Sequence, residues 1–206
     1  MKWNLLKIEQ VTHNRFLNYF VFTYQVDRGD GVSHQVEYYL CSRHSQAELV
    51  ALSKNYARPD GVLIPLYYID PKDGSISLLM THQFRPALGA YMESFPAGLM
   101  DPSDPDCFAT AKREALEESG AEITDMELLC SPSATSSGLG DELDAVVLAR
   151  IVSLGAKELE PYEDITTRLV PLKDALSMLD DPAHYHVPLA TQLMIRYLGL
   201  RFQSHL

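Results

Sequence analysis

The chain has little that would place it in a membrane, a secreted disulfide scaffold or a nucleic-acid complex. Its 206 residues hold only three cysteines, Cys41, Cys107 and Cys130. They are odd in number and widely spaced, which excludes a disulfide framework and zinc-ligand spacing. They read as reduced structural thiols, which implies a reducing compartment. No run approaches the roughly 20 apolar residues of a membrane span. Met1 to Gln10 mixes polar and apolar residues, so neither a signal peptide nor an anchor is expected, and the cytoplasm is the default location. Basic charge is scarce as well: 17 Lys and Arg stand against 28 Asp and Glu, a formal charge of −11. Nucleic-acid binding draws on clustered Lys and Arg, so no nucleic-acid or membrane partner is expected. Internal repeats and low-complexity tracts are missing. The serine-rich Ser131 to Ser137 contains no Gly-x-Ser-x-Gly elbow, which removes support for serine-hydrolase chemistry.

What is present is ordinary globular composition, 46% hydrophobic and 22% charged, and mixed strand and helix signals. Phe16 to Val26 is rich in aromatic and β-branched residues. Arg28-Gly29-Asp30-Gly31 supplies turn chemistry and Val32 to Leu40 resumes the run, so a β-hairpin is predicted. Ser45 to Asn55 reads as a short helix. Ala57-Arg58-Pro59-Asp60-Gly61 is a breaker. It divides an N-terminal β-hairpin subdomain, residues 1–57, from a main domain, residues 58–206. In the main domain Val62 to Ile69, Ser75 to Met80, Tyr91 to Phe95, Ile123 to Cys130 and Leu143 to Val152 read as strands. Asp104-Pro105 looks like an N-cap followed by proline at the first helical position. That helix runs to about Ser119, stopped by Gly120, with Phe108, Ala111 and Ala115 on its buried stripe. Pro171 to Leu179 and Leu189 to Leu198 read as further helices. The class is α/β or α+β: a layered sandwich with a mixed sheet, plus the N-terminal antiparallel β subdomain.

The chemistry concentrates in Arg113-Glu114-Ala115-Leu116-Glu117-Glu118-Ser119-Gly120-Ala121, preceded by Glu93-Ser94-Phe95-Pro96-Ala97-Gly98. On a helix Glu114, Glu117 and Glu118 share one face. Unpaired, they repel one another. Hard divalent cations remove that repulsion and take oxygen ligands, so the cluster suits magnesium held against a phosphate group. A bare glutamate pair is usually a solvated helix face. The adjoining arginine, the glycine stop and the upstream Pro-Ala-Gly argue against that here.

These residues resemble the Nudix hydrolase box. Arg113 to Ala121 fits its second half in full. Its first half departs: the spacing from Gly98 to Arg113 is one residue longer than the family's, and the first glutamate is replaced by Asp104, or else Asp106. Gln83-Phe84-Arg85-Pro86-Ala87-Leu88-Gly89, the Glu93 to Gly98 stretch, Asp60-Gly61-Val62, Cys130-Ser131-Pro132 and Gly138-Leu139 are similar to the ADP-ribose and ADP-sugar pyrophosphatase branch. The resemblance implies a Nudix α/β/α sandwich. It implies Glu114 and Glu118 as main metal ligands with Glu117 close by, the Ala97 carbonyl as a further ligand, and Mg2+ (Mn2+ possible) as the metal. It makes Arg113 a brace for the glutamates, Arg85 a phosphate or ribose contact, and Glu93 a neighbour of the metals or the ribose hydroxyls. The general base resembles a glutamate on a late loop: Glu163 first, Glu160 in reserve, and Glu142 on a different loop.

In that branch a swapped N-terminal hairpin supplies aromatic residues to the partner's adenine pocket. Tyr38 and Tyr39 fall near that position, with Trp3 a weaker candidate. Phe16, Phe20, Phe22 and Tyr24 are a large aromatic load for a small appendage, which argues for a homodimer. His13, His34, His44 and His82 are scattered, and His184 and His186 read as a surface loop, so no histidine site is expected. The implied reaction is hydrolysis of ADP-ribose to AMP and ribose 5-phosphate. Alternatives are ADP-glucose, GDP-mannose or a flavin dinucleotide (FAD), or a non-catalytic sensor of ADP-ribose, which the altered first half of the box motivates.

Overall fold

Apolar residues alternate along the strands, and that alternation builds two separate hydrophobic faces on one sheet. The computed structural model describes residues 1–159 and 163–205; the candidate base Glu160 lies outside the described residues. The strands are β1 (Lys2–Gln10), β2 (Asn18–Asp27), β3 (Ser33–Ser42), β4 (Gly61–Leu63), β5 (Leu66–Ile69), β6 (Ile76–Arg85), β7 (Ala90–Ser94), β8 (Ala97–Leu99), β9 (Ala121–Ala134), β10 (Leu143–Leu154) and β11 (Ile165–Pro171). The helices are α1 (Val50–Ser53), α2 (Cys107–Ser119), α3 (Leu172–Met178) and α4 (Leu189–Arg201). The chain divides into two compact units, Met1–Asp60 with Pro132–Asp144, and Gly61–Ser131 with Ala145–Leu206.

In the first unit β1, β2 and β3 form an antiparallel sheet in that order. The hairpin of β2 and β3 fits the Gly29 and Gly31 turn, where both glycines have positive φ. The first strand was not expected. None of its residues is fully buried, but Leu5 and Ile8 pack against the unit's core, and the strand pairs along β2 from Lys2 opposite Asp27 to Gln10 opposite Phe20. Phe20, Phe22, Leu40 and Leu49 make the core of this unit. Two of the four aromatics read as needing a partner, Phe20 and Phe22, are therefore buried by the chain's own residues. Phe16 stays 65% exposed. The expected helix at Ser45 to Asn55 shrinks to α1, which ends where Lys54 turns left-handed.

The second unit is built on an eight-stranded mixed sheet, ordered β11-β6-β5-β10-β4-β8, with β7 on β6 and β9 on β10. The β5–β10 pair is parallel, whereas β5–β6, β6–β7, β6–β11 and β4–β8 are antiparallel. Successive side chains on a strand point to opposite faces. Leu78, Met80 and Leu148 accordingly join Leu172, Ala175, Ile195 and Leu198 of α3 and α4. Leu79, Val147 and Ala149 join Ala111 and Ala115 of α2. The result is the expected α/β/α sandwich. The single strand expected over Val62 to Ile69 is broken into β4 and β5, the break falling at Ile64-Pro65, and the Pro65 carbonyl accepts instead from Ala149 N–H. Proline has no amide hydrogen for a ladder. Among the described residues, no helix is long and apolar enough to cross a membrane.

Candidate functional site: a braced carboxylate cluster on α2

Helix α2 begins two residues later than its sequence signal suggested. Asp106, not Asp104, is the N-cap, its side chain accepting from Ala109 N–H at 2.9 Å. Asp104 is occupied elsewhere. It is 8% exposed, and its Oδ2 accepts from Asp101 N–H, from the Thr110 hydroxyl and from Arg113 Nη2, each at 3.0 Å. The helix ends at Gly120, whose φ of 69° favours glycine, and whose N–H returns to Leu116 O at 2.8 Å.

Arg113 ties the whole site together. Its Nη1 donates to Glu114 Oε1 at 2.7 Å and to Glu117 Oε2 at 2.9 Å, and its Nη2 donates to the Leu99 carbonyl at 2.9 Å as well as to Asp104. One planar guanidinium thus joins α2, the end of β8 and the loop before the helix, which a point-charge ammonium could not do. Burial works against the Arg113 charge, but the bonds to Asp104, Glu114 and Glu117 outweigh it and hold its pKa above the ordinary value. The bond from Arg113 holds Asp104 below the usual carboxylate range.

Glu118 is the deepest of the three helix carboxylates, 6% exposed, with its Oε2 accepting from Ala97 N–H of β8 at 3.1 Å. Burial, and then the negative charges of Glu114 and Glu163, push it up to about 8, against the pull of the Ala97 N–H and of Arg85. Burial raises Glu114 as well, and Glu117 and Glu163 add to that. Glu163 and Arg85 are therefore close enough to this cluster for their charges to be felt. Gly98 makes the packing possible. A methyl group there would sit 2.0 Å from the Glu114 carboxyl carbon, so a larger residue would push that carboxylate out of its place.

A folded-state pKa of about 8 for Glu118, against 4.5 ordinarily, means that the folded protein holds a proton which the unfolded chain releases across that window. Stability of the metal-free protein is thus expected to fall as pH rises from about 4.5 to about 8. Denaturant unfolding in the presence of a chelator checks this, and Glu118→Gln is expected to flatten the slope.

The other sequence candidates are divided between the two units. Glu93 on β7 is 4% exposed. Its Oε1 takes Arg168 Nη2 of β11 at 3.0 Å and His82 Nδ1 of β6 at 2.9 Å, while Oε2 is buried with no hydrogen-bond partner among the described residues. Sequence reading missed both neighbours. In the sequence His82 is one of several scattered histidines, and only the strand register, which places it opposite both Glu93 and Thr166, reveals the group. Tyr38, Tyr39 and Glu142 belong to the first unit. Tyr38 lines a cavity of about 370 Å³ there, together with Trp3, Phe22, Tyr24 and Asp141. Tyr39 stacks parallel on Tyr19 at 6.2 Å and donates to Glu37 at 2.7 Å. Glu142 pairs with Arg43 at 2.9 Å. The three cysteines are free.

A NUDIX domain model matches residues 58–189. The chain belongs to the Nudix family. The Arg113-centred cluster lies within the matched residues, and Asp104, where the sequence departs from the family's pattern, reaches the arginine. A solved ADP compounds hydrolase is similar over 100% of this chain and 98% of its own, with a TM-score of 0.65 at 18% identity. A candidate Nudix hydrolase from Listeria monocytogenes is similar over 71% of this chain and 96% of its own, with a TM-score of 0.51 at 16% identity. At these identities the likeness establishes the Nudix fold. No curated protein matches the chain.

A divalent metal suits the donor set. Glu114 and Glu118 bring oxygen donors to one face of α2 with Glu117 close by, although among the described residues no three Asp, Glu, His or Cys side chains stand together as a preformed ligand group. The cost of burying the Glu118 charge, visible in its raised pKa, is what a bound cation would offset.

Proposed function

We propose that this Nudix protein hydrolyses the diphosphate bond of ADP-ribose or a related nucleoside diphosphate sugar, giving AMP and a sugar phosphate. The observation that carries the reading is Glu118: a carboxylate buried against β8 at Ala97, next to Glu114, which Arg113 holds together with Glu117. Glu114, Glu118 and the Ala97 carbonyl would hold Mg2+ or Mn2+, with Glu117 at the edge of the cluster. Such an ion neutralises a diphosphate and lowers the pKa of water at its side. Arg85 supplies a planar, permanently charged fork for a phosphate. Glu163 takes the proton of the attacking water, whose oxygen bonds to phosphorus as the anhydride P–O bond breaks. Glu93, held by Arg168 and His82, is the candidate neighbour of the metals or the ribose hydroxyls. The aromatic cavity beside Tyr38 suits a flat base, and a second copy covering the exposed Trp3, Phe16 and Tyr39 fits a homodimer.

A panel of ADP-ribose, ADP-glucose, GDP-mannose and FAD tests the reading, with released phosphate read after phosphatase coupling. ADP-ribose is expected to turn over fastest with magnesium. Bound but unchanged ADP-ribose would instead mark a sensor. The bond between Asp104 and Arg113 supports catalysis over that alternative. Gly98→Ala is expected to cut turnover about tenfold or more by displacing the Glu114 carboxylate. It should cost under about 1 kcal/mol of stability, because the displaced atoms end a flexible side chain; paired assays and thermal melts check both.

A further inference from the structure

Loop residues acting as bases need a tether, and the Glu163 loop has one on each side. Upstream, Gly155 N–H donates to Gly120 O at 2.7 Å and Glu158 N–H to Glu117 O at 3.0 Å, which ties the segment to the end of α2. Downstream, Tyr91 Oη on β7 donates to Asp164 Oδ2 at 2.5 Å, and Phe84 N–H donates to the Asp164 carbonyl at 3.3 Å. The Tyr91 ring is itself fixed. It lies parallel to His82, centroids 4.6 Å apart at 2°, and meets the Phe84 ring edge-on at 5.3 Å. His82 is held in turn by Glu93, which also takes Arg168. A polar group spanning β7, β6 and β11 thus ends on the residue next to Glu163.

We propose that Tyr91 is a positioning residue for this reaction: its hydroxyl, aligned by His82 and Phe84, holds Asp164 so that the adjacent Glu163 stays beside Glu114 and Glu118. This rests on the reading of Glu163 as the general base. Proton transfer demands hydrogen-bond reach, roughly 3 Å between heavy atoms. A displacement of about 1 Å can cost up to about 100-fold in rate. Tyr91 is 42% exposed, so losing its hydroxyl opens no cavity, and the consequence falls on placement rather than on folding.

Tyr91→Phe tests this by a split between kcat and KM. The expected result is a kcat about tenfold lower, a KM within about twofold of wild type and an unchanged melting temperature. Asp164→Ala is expected to match it, and the double variant to be no slower than either single one, since both remove one bond. Asp164→Asn keeps an acceptor oxygen and is expected to retain most of the rate. Wild-type kcat in Tyr91→Phe, alongside an inactive Glu163→Gln, would overturn the proposal and leave the base in place. Full turnover in Glu163→Gln would remove the base assignment and the positioning role together.

Discussion

Glu118→Gln is expected to lower turnover of ADP-ribose about 100-fold or more, while the metal-free protein becomes no less stable at about pH 8. The two halves of this result come from the same geometry. Glu118 is buried, accepts one backbone N–H from Ala97, and feels the charges of Glu114 and Glu163. Without a cation its charge is a burden to the fold, so an amide of the same shape relieves strain of electrostatic origin. With a cation the same charge is an asset, because carboxylate oxygen is the donor that hard divalent ions prefer. Activity measured against magnesium concentration, with denaturant melts in chelator, separates the effects. A variant with wild-type turnover would sink the metal role of Glu118. A variant that lost activity and also unfolded would show that the residue serves packing instead.

Arg113→Ala is expected to destabilise the protein by about 2–4 kcal/mol, the range for removing one member of a buried charge group, and to abolish most activity. Three carboxylates would lose their common partner, with Asp104 and Glu114 both largely buried. Arg113→Lys is expected to restore little, since an ammonium cannot reach Asp104, the Leu99 carbonyl, Glu114 and Glu117 from one planar group. Chemical denaturation gives the stability change. A restored melt with still-impaired turnover in the lysine variant would show that orientation of the glutamates, beyond neutralisation, is what the arginine provides.

Much of the site was legible because it is local. The spacing of Glu114, Glu117 and Glu118 on one helix face follows from the helical repeat alone, and Gly120 announces the helix end by its tolerance of positive φ. The misplaced N-cap shows the limit of such reasoning. Asp104 and Asp106 carry the same capping chemistry, and only the position of Arg113, nine residues on from Asp104 and nearly two turns inside the helix, assigns the first to the guanidinium and leaves the second for the cap. Strand β1 was illegible for a different reason. Its half-buried residues, Leu5, Ile8 and Gln10, do not alternate at the spacing of a strand, and the pairing with β2 that orders it has no signature within Lys2 to Gln10.

The sequence by itself determined the layered class and the helix carrying the carboxylates, because periodicity and capping act over a few neighbouring residues. Tertiary structure alone decided that Glu118 rather than Glu117 is the buried acid, that Glu93 meets Arg168 and His82, and that Tyr91 reaches Asp164. Those outcomes depend on strand register and on which face of α2 the sheet covers, and burial and charge contacts of that kind arise only when distant segments are brought side by side.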